Sequence, residues 1–314
     1  MRSVAVVAVL TLSTAPRLPA QAPASFSTTP RLTGYFQPRF QTLGDSASFF
    51  LRRVRFAVEG NVTPWASYRA QIEMSTNGVG PAAAAPLAFS ATDVFIRLAH
   101  RAWGATVGQF KVPFSLESVL GASVLETSER SRIVNAAKRD IGVQTDWTLV
   151  GRLVLQAAVV DGEGPNRAVN PDNRMAYFAR ALVTPVKGLD LGGAFEGYND
   201  STGANVQGVY RAARWTARAE YIDEHNRRTQ VHIRGWYGLA GYYAIPQRVE
   251  LVGRVEQFDP SNLVATDRST GYLIGVQYFM RGDNFKILAD YEAFREQAVQ
   301  VSNNRGVVQM QVRW

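Results

Sequence analysis

The chain has 314 residues, 46% of them hydrophobic and only 19% charged, with no cysteine and a formal net charge of +8. The missing cysteine excludes a disulfide framework, a thiolate zinc site and a cysteine nucleophile. The basic balance is spread along the chain without a basic tract or recognition motif, so nucleic acid is not the expected partner.

Residues 1–22 have the three parts of an export signal: Arg2, the apolar run from Val4 to Leu12, and a small-x-small ending at Ala20-Gln21-Ala22. The apolar run is about half as long as a membrane-spanning helix. The remaining domain, 23–314, contains no run of eighteen apolar residues, so any membrane crossing there must use strands.

Two-residue alternation dominates from this point on, and it predicts strands with one apolar and one polar face. In chain order the strands are expected at 32–43, 48–62, 65–76, 90–99, 103–110, 139–147, 151–161 and 173–184. The second half continues with 188–199, 203–213, 214–225, 230–243, 247–258, 269–280, 283–293 and 305–314. Early in the chain Phe50, Val54, Phe56 and Val58 alternate with Arg53, Arg55, Ala57 and Glu59, and Arg52 interrupts the apolar face. Later, Val231, Ile233, Gly235 and Tyr237 alternate with His232, Arg234 and Trp236. At the end, Val308, Met310, Val312 and Trp314 alternate with Gln309, Gln311 and Arg313.

About sixteen strands of roughly ten residues, joined alternately by tight and longer connections, predict an all-β transmembrane antiparallel barrel with both ends on the periplasmic side. A soluble sandwich also alternates, but it requires neither an even strand count nor alternating turn lengths. Trp65, Trp103, Trp147, Trp215, Tyr237, Tyr272, Tyr278 and Trp314 fall near strand ends, where membrane barrels carry aromatic girdles. A barrel of this size is too wide for side chains to fill, so its interior becomes an aqueous channel. The third external connection, 111–138, is the longest and exceeds the roughly 12–15 residues usual for a structureless loop. It is expected to fold into the pore, with a short helix somewhere in 114–135.

The segments RRVRFAVEGNVTPWASYRAQIEM (52–74), VFIRLAH (94–100), VGQFKVPFSLE (107–117), ETSER (126–130) and VVDGEG (159–164) resemble the phosphate-selective porin O and P family of outer-membrane proteins. The resemblance is good over 32–165 and rests mainly on barrel architecture elsewhere; its most specific part is 108–117. It implies a sixteen-stranded, usually homotrimeric porin in the outer membrane, with an inward third loop and selectivity for anions, often phosphate or polyphosphate. Two features depart from the family pattern. The chain ends in Trp314 rather than the commoner phenylalanine, and it lacks the lysine-rich clusters of the best-known members, having only Lys111, Lys138, Lys187 and Lys286.

No residue pattern points to catalysis. His100, His225 and His232 have no metal-ligand spacing, and no G-x-S-x-G occurs. Asp161, Glu163 and Asp172 read as solvated loop acids rather than a calcium site. No metal, cofactor or enzymatic activity is therefore expected, and a barrel enzyme or adhesin is the remote alternative.

Charge is more informative. Basic and acidic residues nearly balance on the predicted inner face, but the long loop brings Lys111, Arg130, Arg132, Lys138 and Arg139 against Glu117, Glu126, Glu129 and Asp140. The expected anion-binding neck consists of Lys111, Arg130 and Arg132 with the wall residues Arg53, Arg55 and Arg97, because a narrow passage focuses the field of its cations. Its partners would be small anions such as phosphate, with outer-membrane lipid around the barrel. The rival is a non-selective diffusion porin whose wall charges only keep the pore wet.

Overall fold

The computed structural model describes residues 27–75, 88–134, 138–150, 152–167, 169–198 and 200–314. The expected export signal lies outside them. The first eight strands are β1 (Arg31–Leu43), β2 (Ser46–Thr63), β3 (Ala66–Ser75), β4 (Ala88–His100), β5 (Trp103–Lys111), β6 (Arg139–Leu149), β7 (Leu153–Val160) and β8 (Ala176–Val186). The second eight are β9 (Leu189–Tyr198), β10 (Ser201–Ala212), β11 (Trp215–Asn226), β12 (Val231–Ile245), β13 (Val249–Asp259), β14 (Ser269–Phe279), β15 (Phe285–Glu296) and β16 (Arg305–Arg313). Each pairs antiparallel with its sequence neighbours, and β16 closes on β1, so the sheet is a sixteen-stranded barrel without an edge. At the seam the Trp314 N–H donates to the Gly34 carbonyl at 3.1 Å and the Gly34 N–H to the Trp314 carbonyl at 3.3 Å. Closure satisfies every ladder, as hydrocarbon surroundings demand.

The two faces are the inverse of a soluble sandwich. Large apolar side chains such as Ile96, Phe195, Val206 and Ile274 are exposed on the outer surface, whereas Arg39, Arg218, Glu250, Arg254, Glu292 and Gln311 are buried inside. This arrangement is stable only where the outer solvent is apolar, and it removes the sandwich reading. Seven of the eight expected girdle aromatics, all but Tyr237, are exposed.

Four residues face the opposite way from the simple alternation, one beside a strand irregularity on β2 and three on β12. The register of β1 against β2 shifts between Gln37, opposite Arg53, and Pro38, opposite Leu51. Arg52 is thus the extra residue of a bulge, and the side-chain alternation resets there. Phe50, expected on the apolar outer face, turns inward beneath the Arg39 guanidinium, 5.9 Å from its ring, while Phe49 is 81% exposed. On β12, Tyr237 is buried and donates to Glu220, so Trp236 is the outward aromatic. The same alternation puts His232 and Arg234 on the outer face, where both bind Asp223 at 3.0 Å, and not on the lumen wall.

Candidate functional site

Between β5 and β6 the described part of the long connection comprises 112–134 and Lys138. It contains one turn of helix, α1 (Leu116–Val119), capped by the Ser115 hydroxyl accepting from the Ser118 N–H, and a 3-10 turn over Ala122–Val124. The segment is bonded to strands spread around the barrel. Asn205 on β10 donates to the Phe114 carbonyl at 2.5 Å, and Glu220 on β11 accepts the Leu116 N–H at 2.8 Å. Gln37 on β1 and Gln311 on β16 donate to the carbonyls of Ala122 and Ser123 at 3.4 and 2.9 Å. Asp290 on β15 accepts from both the N–H and the hydroxyl of Ser128, at 2.7 and 3.0 Å. Arg254 on β13 donates to the Glu129 carbonyl at 2.8 Å. All these partners lie on the inner face.

Apolar contact reinforces the polar anchors. Val112, Phe114 and Val134 join Phe178, Ile222 and Leu239 of the wall in one buried cluster. Each such side chain contributes about 1.5–3 kcal/mol when fully buried. The barrel's main packed core therefore sits between this segment and the wall.

Its acids are neutralised by wall arginines. Glu117 and Glu126 meet Arg218 at 3.2 and 2.7 Å. Glu129 meets Arg39, Arg52 and Arg53 at 2.7, 2.5 and 3.0 Å. Burial works to raise the Glu129 pKa, but Arg53, Arg52 and Arg39 outweigh it and hold the carboxyl well below the usual range. Lys138 lies between Glu196 and Glu224, 2.7 Å from each. Burial would lower its pKa, and the two carboxylates more than reverse that.

Two cations differ. Arg130 is buried and gives its hydrogens to the carbonyls of Glu117 and Leu120, at 2.8 and 2.9 Å. Lys111 Nζ donates to the carbonyls of Val119 and Leu120, at 3.2 and 2.7 Å. The Leu120 carbonyl thus holds both cations side by side. Burial, and next the field of Arg53, push the Arg130 guanidinium down to about 10, with Arg55 adding to the effect. Arg53 also donates to Gln37 at 3.2 Å, and Arg55 pairs with Glu73. Of the six expected neck residues, Lys111, Arg130, Arg53 and Arg55 come together. Arg132 borders the same cavity as Arg130 but reaches away from the Leu120 carbonyl, bonded to Ser269 at 2.8 Å and Glu296 at 3.4 Å, with its guanidinium 4.5 Å from the Phe294 ring centre. Arg97 lies near the β4–β5 turn, held by both oxygens of Asp146 at 2.7 and 3.0 Å.

Arg130 lines a cavity of about 400 Å³ with Arg52, Glu129, Arg132, Glu292 and Arg305, toward the external side. Lys111 lines another, of about 350 Å³, bounded by β3–β8. A further cavity of about 400 Å³ on the β10–β15 side is lined by Glu126, Glu250 and Asp283 against Arg211 and Lys286. The hub role of Glu129 and the inward position of Arg52 were not singled out by the sequence; parity marks Arg180 as inward, as observed, but says nothing of its partners. Among the described residues, no group of three or more His, Asp or Glu is placed to hold a metal.

A family model described as phosphate-selective porin O and P matches residues 33–220 and 187–314. Solved structures share the fold. The outer-membrane channel DcaP of Acinetobacter baumannii is 11% identical, with a TM-score of 0.69 over 91% of this chain and 97% of its own. OmpT of Vibrio cholerae in its trimer form is 12% identical, with a TM-score of 0.66 over 91% and 99%. An anion-selective porin from Comamonas acidovorans is 9% identical, with a TM-score of 0.65 over 91% and 99%. A search of curated proteins finds no match.

Proposed function

Because this chain belongs to the phosphate-selective porin O and P family and forms an outer-membrane barrel channel, we propose that its pathway is water-filled and selective for anions, phosphate or polyphosphate among them. The observation that carries this reading is the pair of cations, Lys111 and Arg130, sharing the Leu120 carbonyl instead of a carboxylate. The neighbouring acids are engaged elsewhere: Glu129 by three arginines and Glu117 by Arg218. An ion passing this pair meets positive charge in a narrow space with little water to screen it, which lowers the barrier for an anion and raises it for a cation. The described segment 112–134 then narrows the pore rather than covering its mouth, with Arg53 and Arg55, held by Glu129 and Glu73, beside it on the β2 wall.

Family and fold are those of a channel rather than an enzyme. Assembly as a homotrimer is supported by the trimer form of the similar Vibrio cholerae outer membrane protein OmpT, and the exposed apolar outer face suits outer-membrane lipid. The mass of the detergent-solubilised protein tests the trimer: three chains per particle support it and one chain rejects it. Selectivity is tested by the reversal potential in a planar bilayer across a KCl gradient, with phosphate then added as a blocker. A potential on the chloride side, and a current reduced by millimolar phosphate, are expected. A potential near zero would indicate a general diffusion pore, and a potential on the potassium side would overturn the reading.

A further inference from the structure

We infer that the cavity bounded by β3–β8 is a binding site for a monocarboxylate with a compact apolar body, an aromatic acid in chemical class; this rests on the anion-selective reading above. Its volume of about 350 Å³ lies within the roughly 300–1,000 Å³ of small-molecule sites. The cavity has two kinds of wall. Phe95, Phe110, Pro113 and Val119 form an apolar side, and Lys111 and Arg180 supply charge. The inward position of Phe95 follows from the strand: its neighbours Val94 and Ile96 are exposed on the outer surface. A small, multiply charged anion gains nothing from phenyl rings, since it must shed water to approach them. An aromatic carboxylate gains about 25 cal/mol for each Å² of ring it removes from water there.

Arg180 is the second observation. The residue is more than nine-tenths buried, at 8% exposure. Its guanidinium donates to the amide oxygens of Gln156 at 3.2 Å and Gln207 at 2.7 Å and, among the described residues, forms no ion pair with a carboxylate. A buried guanidinium without a counter-ion is costly until an anion comes to lie beside it. The other charges of this wall are already engaged: Arg69 pairs with Glu59, Arg97 with Asp146, and Asp93 with Arg139. What remains is one cation on β8 and one at the end of β5, with the phenyl rings between β4 and β5. That set matches one carboxylate and one apolar body.

The test uses the full-length protein in planar bilayers in KCl, with benzoate, acetate and inorganic phosphate as blockers. In the unmodified channel benzoate is expected to half-block at a concentration at least tenfold below acetate. Phe95→Ala is expected to erase that difference without shifting the acetate value, and Arg180→Gln to raise the benzoate value at least tenfold. Equal block by benzoate and acetate overturns the inference without any variant, as does phosphate blocking tenfold better than benzoate. An equal loss of both carboxylates in Phe95→Ala overturns it too. The chloride reversal potential recorded in the same membranes separates the two levels: an anion-selective channel without benzoate preference removes this site alone, and a cation-selective channel removes the wider reading.

Discussion

Replacing Glu129 with glutamine should both loosen the inner loop and increase anion preference. The carboxylate faces Arg39, Arg52 and Arg53, whose side chains are 1%, 31% and 6% exposed. Removing one partner of a buried ion pair costs about 3–5 kcal/mol, whereas a pair as open as that with Arg52 contributes about 0–1 kcal/mol. Glutamine keeps the shape and one acceptor oxygen, so the lower figure, about 3 kcal/mol, applies. The strand ladders do not depend on Glu129, and the loss therefore falls on the loop. At 1.4 kcal/mol per factor of ten, local opening around Ser128 and Ser131 becomes about a hundredfold more frequent. Hydrogen–deuterium exchange of the detergent-solubilised protein, read by mass spectrometry over 126–132, measures this.

The same substitution removes one negative charge from the pathway. For an ion passing about 6 Å away, one unit charge in water is worth about 0.7 kcal/mol, with opposite sign for anion and cation. Screening at 0.1 M salt nearly halves the sum, leaving about a three- to fourfold rise in the anion-to-cation permeability ratio. The pH dependence has a definite sign. Glu129 titrates well below its ordinary value of 4.5, because Arg53, Arg52 and Arg39 more than offset burial. Its contribution is therefore fully present above pH 4.5 and is lost as pH falls through the depressed value. Below pH 4.5 the exchange advantage of the unmodified loop over the glutamine variant should shrink, and above it should stay constant. Unchanged exchange over 126–132 at neutral pH would refute the reasoning.

Arg130→Gln and Lys111→Gln should each lower the anion-to-cation ratio about threefold in 0.1 M KCl, and the effect should nearly vanish in 1 M KCl, where the Debye length is about 3 Å. A salt-independent change would contradict the Coulombic account. Arg97→Gln and Arg132→Gln should each lower the ratio by less, because their guanidinium groups are held at Asp146 and Glu296, away from the Lys111–Arg130 pair; a larger drop than for Arg130→Gln would show that the neck lies elsewhere. Phe114→Ala removes a fully buried ring from the loop–wall core and should cost about 3–5 kcal/mol, seen as current flicker in a barrel that still migrates as folded on unheated gels. A quiet channel would show that the ring does not anchor the loop.

The strands were legible because their signal is local. Alternation and tight turns such as Thr63-Pro64 and Arg281-Gly282 place every strand end within three residues of its observed position. Where the signal failed, a backbone irregularity or a mixed face was responsible. Arg52 breaks the period, but a sequence does not say whether an extra residue is bulged out or whether the strand has ended; only the pairing of Leu51 and Arg53 with β1 decides it. On β12, apolar residues occupy both faces, since Tyr237 and Leu239 pack inward against the loop while Trp236 points outward, and parity has nothing to choose between. The neck was legible in part. Charge and loop length mark Lys111 and Arg130, but which cations keep a carboxylate depends on contacts across the barrel. Glu296 lies 164 positions from Arg132, and Arg218 lies 101 from Glu117. No local pattern encodes such partners.

The measurement that bears most directly on the placement of the loop uses the chain's lack of cysteine. An Arg130→Cys variant in a planar bilayer carries a single thiol, which a cationic and an anionic methanethiosulfonate reagent modify in separate experiments. With Arg130 at the neck, the cationic adduct should restore anion preference toward the unmodified value, and the anionic adduct should lower it further or invert it, with a visible step in current at each modification. Modification that proceeds to completion while leaving the reversal potential the same with both reagents would place Arg130 outside the ion path and contradict the account.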